Sequence, residues 1–188
     1  MNFSFGTGTG QIELGQELSV DDSKEVFAAF GLAIHVANVL EFAMLNALFL
    51  DDVVPQLDRF KTPDSWADAY DTFFEKGYKL TFGDMVKTIA TKGNLDKDSL
   101  ETLQSCNQVR NHLAHRFMRE QAEFFFTPEG RKGMIDSCEN AVTLFEVARN
   151  DIENFASSRF AQLGIDQAKW DQRIEAGMKK LVEGAVAA

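Results

Sequence analysis

Arg110, Asn111 and His115 place a permanent cation, an amide and an imidazole within six residues, in the stretch Arg110-Asn111-His112-Leu113-Ala114-His115. The stretch reads as the middle of a long amphipathic helix, where a polar cluster is costly to bury without partners. These residue types suit phosphodiester chemistry. An arginine holds phosphate through its fork of N–H donors, and a histidine moves protons near neutral pH. At 3.6 residues per turn, Asn111 and His115 (i, i+4) share a helix face, whereas Arg110 and His115 (i, i+5) lie about 140° apart. One helix therefore does not aim both groups at the same atom. Either the long stem of Arg110 reaches around, or a second copy of the helix across a two-fold axis completes the site. The second arrangement makes a homodimer part of the chemistry.

Each residue also has a purely structural explanation. Arg110 suits an ion pair with a carboxylate from another helix, and Glu41 is the obvious candidate. His115 suits a helix histidine satisfied by a neighbouring carbonyl. Taken singly, those explanations are the commoner ones; with Asn111 between them, the combination points to a site. His112, Arg116 and Arg119 add basic character to the same segment and are candidate substrate-binding residues. Between Asp98 and Phe124, Arg110, Arg116 and Arg119 balance Glu101, Glu120 and Glu123, so this stretch is less acidic than the chain as a whole.

Other chemistries find less support. His112 and His115 at i, i+3 resemble two metal ligands on one face, but further ligands must come from elsewhere and His35 is the only other histidine. No Glu-x-x-His pair exists, which argues against a di-iron carboxylate bundle. Gly6 to Gly10 lack the strand, helix and lysine of a phosphate loop, and no nucleophile elbow surrounds a serine or cysteine. Neither a metal nor another cofactor is expected.

The string Val109-Arg110-Asn111-His112-Leu113-Ala114-His115-Arg116-Phe117 resembles the Arg-x4-6-His signature of the HEPN superfamily of helical-bundle proteins, in its bacterial "RN-x-x-AH" form. Leu80-Thr81-Phe82-Gly83-Asp84-Met85-Val86 is similar to the short "lG-x-mi" helix that precedes this motif in related bacterial proteins. The likeness is sharp over about nine residues and architectural over roughly 25–160. It implies a metal-independent endoribonuclease that acts as a dimer, of the kind found in toxin–antitoxin, antiphage or RNA-processing systems, with an antitoxin protein as a partner. Carried onto this chain, it implies that Arg110 binds the scissile phosphate, His115 serves as general acid or base, and Asn111 orients phosphate or His115. The resemblance also covers non-catalytic members that bind nucleotides or partner proteins. That leaves an alternative in which Arg110 and Glu41 form a structural lock.

The elements that must position these residues follow from the rest of the pattern. The 188 residues suffice for one domain with a sizeable core. A net charge of −10 and a pI near 4.8 argue against a general nucleic-acid coat or a membrane-surface binder. Cys106 and Cys138 show no metal-type spacing and read as reduced cytosolic thiols. Met1 to Gly10 lack the features of a secretory signal, so a cytoplasmic protein is expected.

Residues 1–20 are expected to be a mobile tail and 21–188 a single helical domain. Ser19 and Asp21-Asp22 start a helix whose apolar pattern runs to Leu50. His35, Asn38, Glu41 and Asn46 interrupt its membrane-like stretch, and a central glutamate costs roughly 2.5–3.5 kcal/mol in a bilayer. The i, i+3, i+6 row of His35, Asn38 and Glu41 suits a central bundle helix that turns this stripe toward the motif. Those three residues are second-tier site candidates.

Further helices are expected from Thr62-Pro63 through Trp66 to about Tyr78, and from Phe82 to Lys92 with a cap at Gly93. The motif helix begins at Asp96 or Asp98, with Leu100, Leu103, Cys106, Val109, Leu113 and Phe117 at helical spacing. Thr127-Pro128-Glu129 starts a long helix that closes at Gly164, and Asp166 opens a last one carrying Trp170, Ile174, Met178 and Leu181. With no sustained two-residue alternation, the expected fold is all-α, an antiparallel HEPN-like bundle.

Overall fold

The computed structural model describes residues 20–60, 62–92 and 95–164, together with 166, 168 and 172. Among them all regular structure is helical, in the order α1 (Val20–Asp52), α2 (Pro63–Gly77), α3 (Phe82–Lys92), α4 (Lys97–His115), α5 (Phe117–Glu120) and α6 (Pro128–Gln162). Single 3-10 segments follow α1 (Val54–Arg59) and precede α6 (Phe124–Phe126). The protein is all-α. Residues 1–19, the Gly93 cap and the helix expected to carry Trp170, Ile174, Met178 and Leu181 lie outside the described residues.

Four helix starts, those of α2, α3, α4 and α6, have a local chemical cause. Thr62 Oγ1 accepts the Ser65 amide while Ser65 Oγ accepts the Thr62 amide, a reciprocal box ahead of α2. The same device opens α3: Thr81 Oγ1 accepts from the Asp84 amide, and an Asp84 carboxylate oxygen accepts from the Thr81 amide and hydroxyl. Asp96 caps α4 by accepting from the amide and hydroxyl of Ser99. Thr127 Oγ1 accepts from the Gly130 amide at the start of α6. The far end of α6 closes at Gly164, whose φ of 67° is open to glycine.

The described residues divide into two compact units, 20–44 with 80–151 and 45–79 with 152–164. The first carries the motif. Its core joins Leu40 and Met44 of α1, Phe82 and Ile89 of α3, Leu103, Cys106 and Leu113 of α4, and Cys138 and Phe145 of α6. In the second unit Phe49 sits among Trp66, Tyr70, Phe73 and Phe74, with ring centroids 5.3–5.6 Å apart. Phe160, Leu45, Leu50 and Val54 complete that core. It is tied by Arg159 Nε donating to Asp51 Oδ1 at 2.7 Å, with Asp51 only 5% exposed.

Candidate functional site

The rotation of α4 is set by its apolar row. Leu103, Cys106, Val109 and Leu113 are buried, so the next position around the helix from Val109 lies at the flank of the buried face. Arg110 stands there, 29% exposed, with Nη2 3.2 Å from Oε1 of Glu41 on α1, which is itself 23% exposed. Asn111 and His115 fall on the solvent side and are exposed. Because α4 remains α-helical from Lys97 to His115, the divergence of about 140° between Arg110 and His115 persists.

Asn111 Nδ2 donates to Oδ1 of Asn107 one turn earlier, at 3.3 Å. Asn107 is thus a polar neighbour of the motif that motif matching overlooks; extending the Asn111–His115 row back by four residues finds it. Asn107 also faces α3, where a Cβ added to Gly83 would stand 3.3 Å from its Nδ2. The small residue in the Leu80–Val86 segment therefore lets α3 approach the motif helix.

The motif occupies the end of its helix, not the middle that the apolar spacing implied. α4 stops at His115, and Arg116 takes φ −129°, ψ −36° before the short α5 begins. Phe117 is fully buried after this break and stacks on Phe30 of α1 at 5.8 Å. An apolar row at three- and four-residue spacing cannot report such a break, because Phe117 reaches the core across it.

His112 is placed differently from Asn111 and His115. Its Nδ1 lies 3.6 Å from Glu120 of α5, its ring meets Phe117 edge-on, and its side chain is 17% exposed. His112 and Glu120 together span the break. Arg116 and Arg119 are exposed beyond it.

On α1, Glu41 of the polar row contacts the motif helix. His35 and Asn38 stand exposed. A row at i, i+3, i+6 winds around the helix by about 60° per step, so it turns through about 120° between Glu41 and His35. Among the described residues, no three His, Cys, Asp or Glu side chains gather as a metal site would require. Both cysteines belong to the core: burial pushes the Cys106 thiol up to about 12 and the Cys138 thiol up to about 11. Such thiols are poor nucleophiles at neutral pH.

Comparison with family models, with curated proteins and with solved structures finds no match to this chain.

Proposed function

We propose that the protein is a metal-independent endoribonuclease of HEPN type, an antiparallel bundle working as a cytoplasmic homodimer. The observation that carries this reading is that Arg110, Asn111 and His115 all stand at the C-terminal end of α4. Arg110 is paired with Glu41 at the flank, and the amide and imidazole are exposed on a separate face. In the proposed reaction the RNA 2′-oxygen attacks phosphorus and its proton passes to a general base. The 5′-oxygen leaves and takes up a proton from a general acid. RNA supplies the nucleophile, so the protein needs only proton transfer and charge stabilisation. His115 performs a proton transfer, Arg110 stabilises the phosphorane charge, and Asn111 positions phosphate. Arg116 and Arg119 bind flanking backbone, while His112, engaged with Glu120, holds the end of α4. The divergence of Arg110 from His115 supports a site shared between two copies. A toxin or antiphage role with a cognate antitoxin protein fits this activity.

A second reading is favoured by the Arg110–Glu41 pair itself. With both partners less than a third exposed, the pair also suits a structural lock in a non-catalytic helical dimer that binds a nucleotide or a protein. Cleavage of a mixed RNA pool in EDTA, by the native protein and by His115→Ala and Arg110→Ala, separates the two. Cutting that survives the chelator and disappears in both folded variants supports the nuclease. Absence of cutting, with Arg110→Ala chiefly lowering the melting temperature, supports the lock.

A further inference from the structure

A carboxamide carries a donor at one end and an acceptor at the other, and the two ends meet an anion in opposite ways. The Nδ2 end of an asparagine attracts a phosphate oxygen, whereas the Oδ1 end repels it. Asn111 is exposed on α4, so packing does not choose between its ends. A hydrogen bond does. Asn111 Nδ2 donates to Oδ1 of Asn107 at 3.3 Å. That oxygen can accept only from the Nδ2 end, which is therefore held back toward the preceding turn of α4. One of its two N–H groups is used in this way, and the other remains to donate.

The place of Asn107 gives that contact a direction. At about 100° per residue, Asn107 falls about 60° from Arg110 and about 40° from Asn111, on opposite sides. It stands one turn before both and between them around the helix. Drawing Nδ2 of Asn111 toward Asn107 turns the donor to the side on which Arg110 lies.

The amide of Asn107 is steadied in turn by α3. A Cβ added at Gly83 would stand 3.3 Å from Nδ2 and 3.4 Å from Oδ1 of Asn107, so both ends of this amide lie over the glycine in space that any other side chain would contest. The Asp84 carboxylate beside Gly83 is engaged by Thr81, and residues 102–109 of α4 carry no charge. The acceptor offered to Asn111 is thus a neutral amide oxygen, which does not repel a phosphate bound alongside.

We infer that Asn107 is a positioning residue for the proposed site: it fixes the Asn111 carboxamide with its N–H end toward phosphate, and Gly83 makes the room for it to do so. This rests on the reading of Asn111 as a group that positions phosphate. Asn107 itself acts through Asn111 and need not touch RNA.

The test combines NMR of the isotope-labelled full chain with RNA cleavage. Solvent exchange of one Asn111 Nδ2 proton should be slowed about two- to tenfold, the bias that one ordinary hydrogen bond supplies, and inorganic phosphate should shift the other proton. Asn107→Leu, which removes the acceptor, should abolish both effects. Asn107→Asp keeps an acceptor and should retain the slowed exchange. Gly83→Ala leaves Asn107 in place but presses on its amide, and should weaken both effects. Circular dichroism checks that each variant is folded. Asn111 protons that behave alike in the native protein and in Asn107→Leu would overturn the proposal. In cleavage, Asn107→Leu should lower kcat/KM about two- to tenfold and cause no further loss when Asn111 is already alanine. A second loss of equal size in that background would show that Asn107 acts by another route, and would also overturn the proposal. Slowed exchange and a phosphate response that both depend on Asn107, in a protein that leaves RNA intact, refute the nuclease and leave the positioning standing. Cleavage with Asn111 protons indifferent to Asn107→Leu does the reverse.

Discussion

Neutralising Glu41 should expose how much of Arg110 is structural. The Arg110–Glu41 contact is one Nη2–Oε1 approach of 3.2 Å between side chains 29% and 23% exposed. Two unit charges at about 4 Å attract by about 4 kcal/mol at the effective dielectric of a protein surface. Desolvation of groups roughly three-quarters buried offsets a large part of this. Fully exposed pairs retain about 0.2–1 kcal/mol, so a coupling of about 1–2 kcal/mol is expected here. Glu41→Gln leaves the Arg110 charge partly buried and without its carboxylate, and should cost about 2 kcal/mol, or about 4–8 °C of melting temperature for a chain of this size. The assay is a double-mutant cycle by urea unfolding with Glu41→Gln, Arg110→Met and the double variant. A coupling below about 0.3 kcal/mol would refute the energetic reasoning and remove the lock as an explanation of Arg110. Arg110→Lys keeps the charge and loses the fork. It should lose less than about 1 kcal/mol of stability, whereas removing one transition-state donor lowers cleavage about 10²–10³-fold on the nuclease reading.

Asp51→Asn should cost about 2–3 kcal/mol in urea unfolding without changing RNA cleavage, because it breaks the 2.7 Å Arg159–Asp51 contact at a carboxylate only 5% exposed in the unit that lacks the motif. Gly130→Ala should destabilise the entry to α6 by about 1–3 kcal/mol, since its Cβ would clash with the Phe124 carbonyl oxygen. Gly133→Ala, with nothing within 4 Å, should gain up to about 1 kcal/mol in the same melts. Cys106 and Cys138 have thiols raised to about 12 and about 11 in the fold. Above about pH 9 the unfolded chain releases protons that the native chain retains, so stability present below that pH is lost as pH rises toward 11–12, by up to about 1.4 kcal/mol per thiol per pH unit. Urea midpoints between pH 8 and 11 check this, and Cys106→Ala should flatten the slope. The carboxyls of Asp84 and Asp96 are held below their ordinary value by hydrogen bonds, from Thr81 and from Ser99 respectively. The stability they contribute is present above the ordinary aspartate range and lost as pH falls through it, so an acid titration of helicity should soften first in variants Thr81→Val and Ser99→Ala.

Helix starts were the most legible part of this chain, because a cap is written in adjacent residues. Thr62-Pro63, Asp96 and Thr127-Pro128 all open helices as their chemistry dictates. The Thr81–Asp84 box is harder to read because an aspartate stands where the usual signature has glutamate or glutamine. The break at Arg116 was illegible for a different reason: burial periodicity is insensitive to a kink that returns Phe117 to the same core. The division into two units was hidden too, since the apolar patterns of α1 and α6 run through both without interruption. At the site, the types and spacing of Arg110, Asn111 and His115 were plain in the sequence. One distant partner, Glu41 for Arg110, was legible as well; what the sequence withheld was the approach of Glu120 to His112 and the exposure of His35 and Asn38. Those depend on how α5 and α1 lie against α4, which no local pattern encodes.

The most direct test of the central claim is the chemistry of the product ends. RNA cleaved by the purified protein in EDTA, analysed by mass spectrometry, should carry 2′,3′-cyclic phosphate and 5′-hydroxyl termini. A 2′-deoxy substitution at the cut site should abolish that cleavage. Products with 3′-hydroxyl and 5′-phosphate ends, or cutting that stops in EDTA, would contradict proton transfer by His115 and charge stabilisation by Arg110 as the whole of the chemistry.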